Sequence, residues 1–297
     1  VSCTAENNRE KLREFINLKL GEPFTAINPD EGDFDQLLDR REEYPTEHLP
    51  EGVLMLTAGV DVQRNRLECS IYGWGHDREC WGICHRVLYG LPDDQKTWEM
   101  LDGVLETEYK HSSGVKMPVS CVFIDSGDGM YTNNVYAYTR ARERQRVFSI
   151  KGRGGADLPF VGKPSRAGTE KAVLFPLGVD AGKRKVMDRL DVLEAGPNFV
   201  HFDANVDAGF TEDFFKQLTA EKQEVVRDKN GSRLVWVKLR QRNEALDCAV
   251  YATAAMELLT PNFDVLERYY TGQKTVESLP AQRRVRRRGT ISRGVQL

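Results

Sequence analysis

No apolar run in this 297-residue sequence approaches the ~20 residues that a bilayer-spanning helix needs. The start carries no charged-then-apolar leader. It opens Val1-Ser2-Cys3 without an initiator Met and reads as a fragment of a longer chain. No internal repeat is visible, which sets aside solenoids and propellers. A phosphate loop is missing too. Gly178-Val179-Asp180-Ala181-Gly182-Lys183-Arg184 comes nearest, but it is one residue short between its glycines and has Arg184 where Ser or Thr would meet Mg²⁺. Gly152-Arg153-Gly154-Gly155 lacks a nucleotide-binding context. ATP hydrolysis by this chain alone is therefore not expected. Hydroxyls and histidines form no readable nucleophile triad. Cysteines number six, at 3, 69, 80, 84, 121 and 248. Most sit inside apolar patterns, where free Cys acts as a small hydrophobe, and the set reads as a reducing compartment. Cys80, Cys84 and His85, with His76 nearby, match none of the paired spacings of zinc sites.

What is present is a globular composition, 40% hydrophobic and 29% charged, with charge unevenly spread. Residues 30–51 hold nine acids against Arg40 and Arg41, and residues 283–293 hold six arginines and no acid. Such asymmetry speaks to partners. The patterns divide the chain into an arm or linker over 1–50, a compact domain over 51–262 and a flexible basic tail over 263–297. Residues 5–20 read as a helix ended by Gly21-Glu22-Pro23, and a short helix is expected near Phe34 to Glu43. Three alternating runs, 54–63, 67–75 and 80–89, read as an antiparallel meander. A helix over 95–109 precedes a continuous apolar run, 119–125, of the kind buried in parallel sheets. A helix over 131–144 and a strand over 147–151 complete a βαβ unit. After a long loop, 152–170, come a strand (172–177), a helix (181–193) stopped at Gly196-Pro197 and a short strand (199–203). Asn230-Gly231 signals a hairpin between 222–228 and 233–239. Asn243 is expected to cap a last helix, 244–259, stopped by Pro261.

Three acids stand out in this pattern. Asp61 lies mid-strand in Leu56-Thr57-Ala58-Gly59-Val60-Asp61-Val62-Gln63. Asp125 ends the fourth strand, where α/β sheets place their ligand crevice. Asp247 lies in a last helix apolar nearly all round, hence buried. Like charges brought together raise one another's pKa, and divalent cations such as Mg²⁺ or Mn²⁺ offset that through carboxylate ligation. Taken singly, two of them have plain roles: Asp125 as a turn residue, Asp247 as the partner of Arg240 or Arg242. Asp61 has no such excuse. Asp128, in the turn after Asp125, and Glu244, one turn before Asp247, are outer-shell candidates; each also suits an ordinary turn or helix-start role. Lys151, Arg153, Lys163, Arg166 and Lys183 could rim the acids and meet phosphates, or simply be solvated surface.

The segments around these acids, together with Phe123-Ile124-Asp125-Ser126-Gly127, Arg242-Asn243-Glu244-Ala245-Leu246-Asp247-Cys248-Ala249-Val250-Tyr251 and Leu20-Gly21-Glu22-Pro23, resemble the nuclease half of tailed-phage terminase large subunits of the lambda GpA type. The resemblance implies an α/β, ribonuclease H-like fold: a mixed central sheet with helices on both faces. It implies that Asp61, Asp125 and Asp247 bind two Mg²⁺ or Mn²⁺ ions and hydrolyse phosphodiesters of double-stranded DNA, cutting concatemeric viral DNA in the host cytoplasm. A terminase small subunit and the capsid portal, the latter through the Arg-rich tail, are the implied partners, with the ATPase motor upstream. Two other readings stay open on the residues alone: a transposase, integrase or resolvase of the same fold, and a non-catalytic packaging or docking module.

Overall fold

The computed structural model describes residues 33–155, 158–228 and 231–272. The expected helix over 5–20, the Leu20–Pro23 junction and the Arg-rich tail lie outside these residues. Three strands follow one another as the alternation requires: β1 (Met55–Gln63), β2 (Arg66–Trp74) and β3 (Cys80–Tyr89), antiparallel throughout. Helix α2 (Gln95–Leu105), after the short α1 (Asp33–Asp39), leads through the small β4 (Tyr109–Lys110) and β5 (Lys116–Met117) pair to β6 (Val119–Asp125). Then come α3 (Thr132–Ala141), β7 (Val147–Arg153), β8 (Ser165–Ala167), β9 (Ala172–Gly178), α4 (Val179–Leu190), β10 (Val200–Phe202), α5 (Glu212–Leu218), the hairpin β11 (Glu221–Asp228) and β12 (Gly231–Lys238), α6 (Glu244–Leu259) and α7 (Phe263–Tyr270). The main sheet has the order β10-β3-β2-β1-β6-β7-β9-β8. Its centre, an antiparallel meander followed by parallel β6 and β7, is the ribonuclease H-like arrangement expected.

The pleat of β1 explains both layers. Successive side chains alternate faces. Leu56, Ala58, Val60 and Val62 join one core with Trp98 and Leu101 of α2 and Val135 and Tyr138 of α3. The opposite face meets a second core built from α4, α5 and α6, in which Phe202, Phe214 and Phe215 cluster with Leu246 and Val250. Gly59 brings α6 against that face: a Cβ there would lie 2.0 Å from the Cys248 carbonyl oxygen and 2.7 Å from the Ala252 nitrogen. Thr57, on the same face, donates its hydroxyl to the Ala252 carbonyl at 2.8 Å.

Several sequence expectations change. Residues 33–50 are no solvated linker. Arg40 donates to the carbonyls of Leu190, Val192 and Val200 at 3.0–3.1 Å, Leu37 is buried, and Glu42 bridges β10 through Asp203. The tail does not begin at 263. Helix α7 packs Phe263 and Leu266 on the core, and Tyr270 stacks on His111. The α4 helix starts two residues early and ends at Leu190, well before Gly196-Pro197. In the β11–β12 hairpin Gly231 pairs with Asp228, so it belongs to the strand, not the turn.

Candidate active site

The parallel pairing of β1 with β6 sets Val60 beside Ile124, so Asp61 and Asp125 follow as neighbours at the same, C-terminal end of adjacent strands. Alternation turns both towards α6. Asp247 sits in the first turn of that helix, where backbone N–H groups favour a carboxylate. The three acids predicted from sequence are thus brought to one place, from two strands and a helix. Tyr251, one turn beyond Asp247, lies among them: burial and then the charges of Asp125, Asp247 and Asp61 push its phenol well above its usual range.

Their protonation reports the crowding. Asp61 is 4% exposed. Burial foremost and the Asp247 charge next hold its carboxyl well above the normal range, against a hydrogen bond from Gln63 Nε2 at 2.5 Å. Burial lifts Asp125 to about 6, opposed by the amide N–H groups of Gly127 and Ser126; Asp128 adds to the rise and Lys151 reduces it. Burial lifts Asp247 to about 7, Lys183 opposing and Glu221 and Asp125 reinforcing. Among the described residues no three His, Cys, Asp or Glu side chains are drawn into a ready-made metal cage. The donor chemistry nevertheless suits a hard cation: three carboxylates whose charge is disfavoured as they stand, with no thiolate or imidazole among them. Neither arginine offered as a partner for Asp247 serves it. Arg240 donates to the carbonyls of Lys216 and Thr219, and Arg242 to Glu68 and Asp213.

The secondary candidates part company. Asp128 is half-buried in the loop after Asp125, near enough to raise that acid's pKa. Glu244 is buried and tied to Arg66 at 2.7 Å, inside an ion-pair network that sequence reasoning missed. Its centre is Glu68, fully buried and directly across from Asp61 in the β1–β2 register. Arg66 and Arg242 reach Glu68 Oε1 at 2.6 and 2.8 Å, and His85 Nε2 lies 3.5 Å from Oε2. Burial alone would raise the Glu68 carboxyl, but His85, Arg66 and Arg242 outweigh it and bring it to about 2. The register was the available signal: an acid paired with Asp61 shares its buried face.

Of the basic candidates, Lys151, Arg153 and Lys163 are exposed. Arg166 is exposed but engaged, with its guanidinium on Glu143 at 2.7 and 2.8 Å. Lys183 is no surface cation: its ammonium is 2.7 Å from the buried Glu221. Asn243 does not cap α6 through its side chain, which runs instead from Lys238 to Glu221 and Asp247.

The model of the family described as terminase large subunit gpA, endonuclease domain, matches residues 2–268. The terminase large subunit of Escherichia phage lambda is 32% identical over 252 residues, covering 84% of this chain and 39% of the relative. That of Enterobacteria phage P21 is 31% identical, covering 83% and 39%. The chain thus spans about two-fifths of the length of these relatives. The crystal structure of the g2p (large terminase) nuclease domain from the bacteriophage SPP1 with bound Mn covers 75% of this chain and 90% of that one, at 12% identity and a TM-score of 0.34, too slight a likeness to argue from. The match over nearly the whole described region settles the matter of kinship: the chain belongs to the family of terminase large-subunit gpA endonuclease domains.

Proposed function

We propose that this chain is a metal-dependent DNA endonuclease that cuts concatemeric viral DNA into genome units during packaging, with Asp61, Asp125 and Asp247 as the metal-binding and catalytic acids. The observation that carries the reading is their convergence at one end of the sheet, from β1, β6 and α6: the charges of Asp247 and Asp125 raise the Asp61 carboxyl, and that of Asp125 raises Asp247. Two bound Mg²⁺ or Mn²⁺ ions would supply an activated water and offset the charge building on the leaving 3′ oxygen. The chain's own residues orient that chemistry. Gln63 holds one Asp61 oxygen. The Gly127 N–H holds Asp125 Oδ1 at 3.1 Å. Lys151, Arg153 and Lys163, exposed near the Asp125 end of the sheet, suit contact with the phosphates of double-stranded DNA. A terminase small subunit and the capsid portal are the proposed partners, the host cytoplasm the proposed place of action. Plasmid DNA incubated with the chain and Mg²⁺, Mn²⁺ or EDTA tests the reading. Cleavage that needs metal and vanishes in Asp125→Ala is expected. Metal-independent cleavage, or an active Asp125→Ala protein, would refute it.

A further inference from the structure

Asn243, Glu221 and Lys183 come from three elements, the start of α6, the base of the β11–β12 hairpin and α4. All three side chains meet beside Asp247. The Asn243 amide nitrogen donates to Glu221 Oε1 at 2.8 Å and to Asp247 Oδ2 at 2.9 Å. Its amide oxygen accepts from Lys238 Nζ at 3.0 Å. The amide is therefore matched at both ends: inverted, it would set an oxygen against two carboxylates and an N–H₂ against an ammonium. Glu221 is 2% exposed, and its second oxygen accepts from Lys183 Nζ at 2.7 Å. That ammonium also lies 6.0 Å from the centre of the Trp236 ring. A buried carboxylate left without such partners is strongly disfavoured, so the Lys183–Glu221 pair is a fixed post, and Asn243 ties Asp247 to it.

We infer that the chain Lys183–Glu221–Asn243 is a positioning device for Asp247, holding Oδ2 towards the hairpin so that the carboxylate meets a divalent cation in one orientation. The inference rests on the metal-nuclease reading above, and it removes Lys183 from the phosphate-contacting set. Restraint of this kind acts through metal affinity: outer partners of a ligand typically change it about 10–100-fold. An alternative role confined to folding would change stability and leave the affinity of the folded protein alone.

Mn²⁺ titration calorimetry on the full chain separates the two, with a thermal melt of each variant. Asn243→Ala is expected to weaken Mn²⁺ binding about 10–100-fold, and its DNA cleavage to recover as Mn²⁺ is raised. Glu221→Gln is expected to weaken binding in the same direction. The double variant should be no worse than the weaker single one, because both substitutions break one chain. Should Asn243→Ala fail to fold, Glu221→Gln carries the test alone, since it leaves Asn243 and Asp247 in place. A folded Asn243→Ala or Glu221→Gln protein that binds Mn²⁺ within twofold of the parent overturns the inference; so do fully additive effects. A parent chain that binds no Mn²⁺ overturns the nuclease reading beneath it as well.

Discussion

Replacing Gly59 by Ala puts one methyl group where α6 crosses β1, and the consequence can be worked from distances. The φ of Gly59 is not in the left-handed region, so backbone conformation is no obstacle; space is. The new carbon would sit 2.0 Å from the Cys248 carbonyl oxygen. Heavy atoms rest at about 3.5 Å, so helix and strand must part by about 1.5 Å. Neither neighbour is a side-chain tip that can swing aside, because both are backbone. Overpacking of this kind costs about 1–3 kcal/mol. The same displacement separates Asp247 from Asp61, and misplacement by about 1 Å costs roughly 10²-fold in rate. Gly103 supplies the control. It is exposed in α2, and a Cβ there meets nothing within 4 Å, so Gly103→Ala should stabilise by about 0.4–1 kcal/mol. Urea unfolding and metal-dependent cleavage of both variants decide the matter. A Gly59→Ala protein as stable and as active as the parent would show that the helix does not rest on the strand as described.

Other consequences follow from the same groups. Asp125 and Asp247 have folded pKa values of about 6 and 7, above the ordinary 3.8, so the stability they contribute is full below that value and is lost as pH rises through 6 and 7. Glu68 runs the other way: its folded value of about 2 against 4.5 gives about 3 kcal/mol at neutral pH that is lost between pH 4.5 and 2. Urea unfolding in EDTA should accordingly show stability rising from pH 8 to 5 and falling below 4; a steady decline from pH 8 downwards would contradict this. Asp61→Asn should melt a few degrees above the parent, by removing a buried carboxyl whose ionisation is disfavoured among like charges, while abolishing cleavage; lower melting or retained cleavage would count against the site. Arg66→Ala strips partners from Glu68 and Glu244 and should cost about 3–5 kcal/mol, measured by denaturant titration; a loss under 1 kcal/mol would show that Arg242 and His85 suffice.

The sheet's centre could be read from sequence because its signals are local. Alternation gave β1 to β3, the apolar run gave β6, and the all-apolar helix gave α6 to the residue. The three acids were visible because acids inside apolar patterns lack local company. What escaped was whatever depends on pairing across the chain. Glu68 alternates with apolar residues, as a solvated strand face would, and only the register opposite Asp61 buries it. Lys183 looks like a surface cation until β11, 38 residues on, delivers Glu221. Asn243 has the residue type of a helix cap, but two carboxylates compete for its amide and win. The acidic arm has little periodicity, yet Arg40 fastens it through three carbonyls that belong to segments 150 and more residues away.

The position of α6 in the chain also sets when the proposed site can exist. Asp61 and Asp125 lie in strands of the first half of the chain, but Asp247 arrives 122 residues after Asp125 (247 − 125). At synthesis rates of about 5–20 residues per second, that gap lasts roughly 6–24 seconds, and a nascent chain in that interval carries two of its three acids and no helix to complete the set. On the proposed reading, a chain built in this order has no complete metal site until α6 has been made. A product terminated before Asp247 would then lack the third acid, and the proposed activity predicts that it leaves DNA uncut.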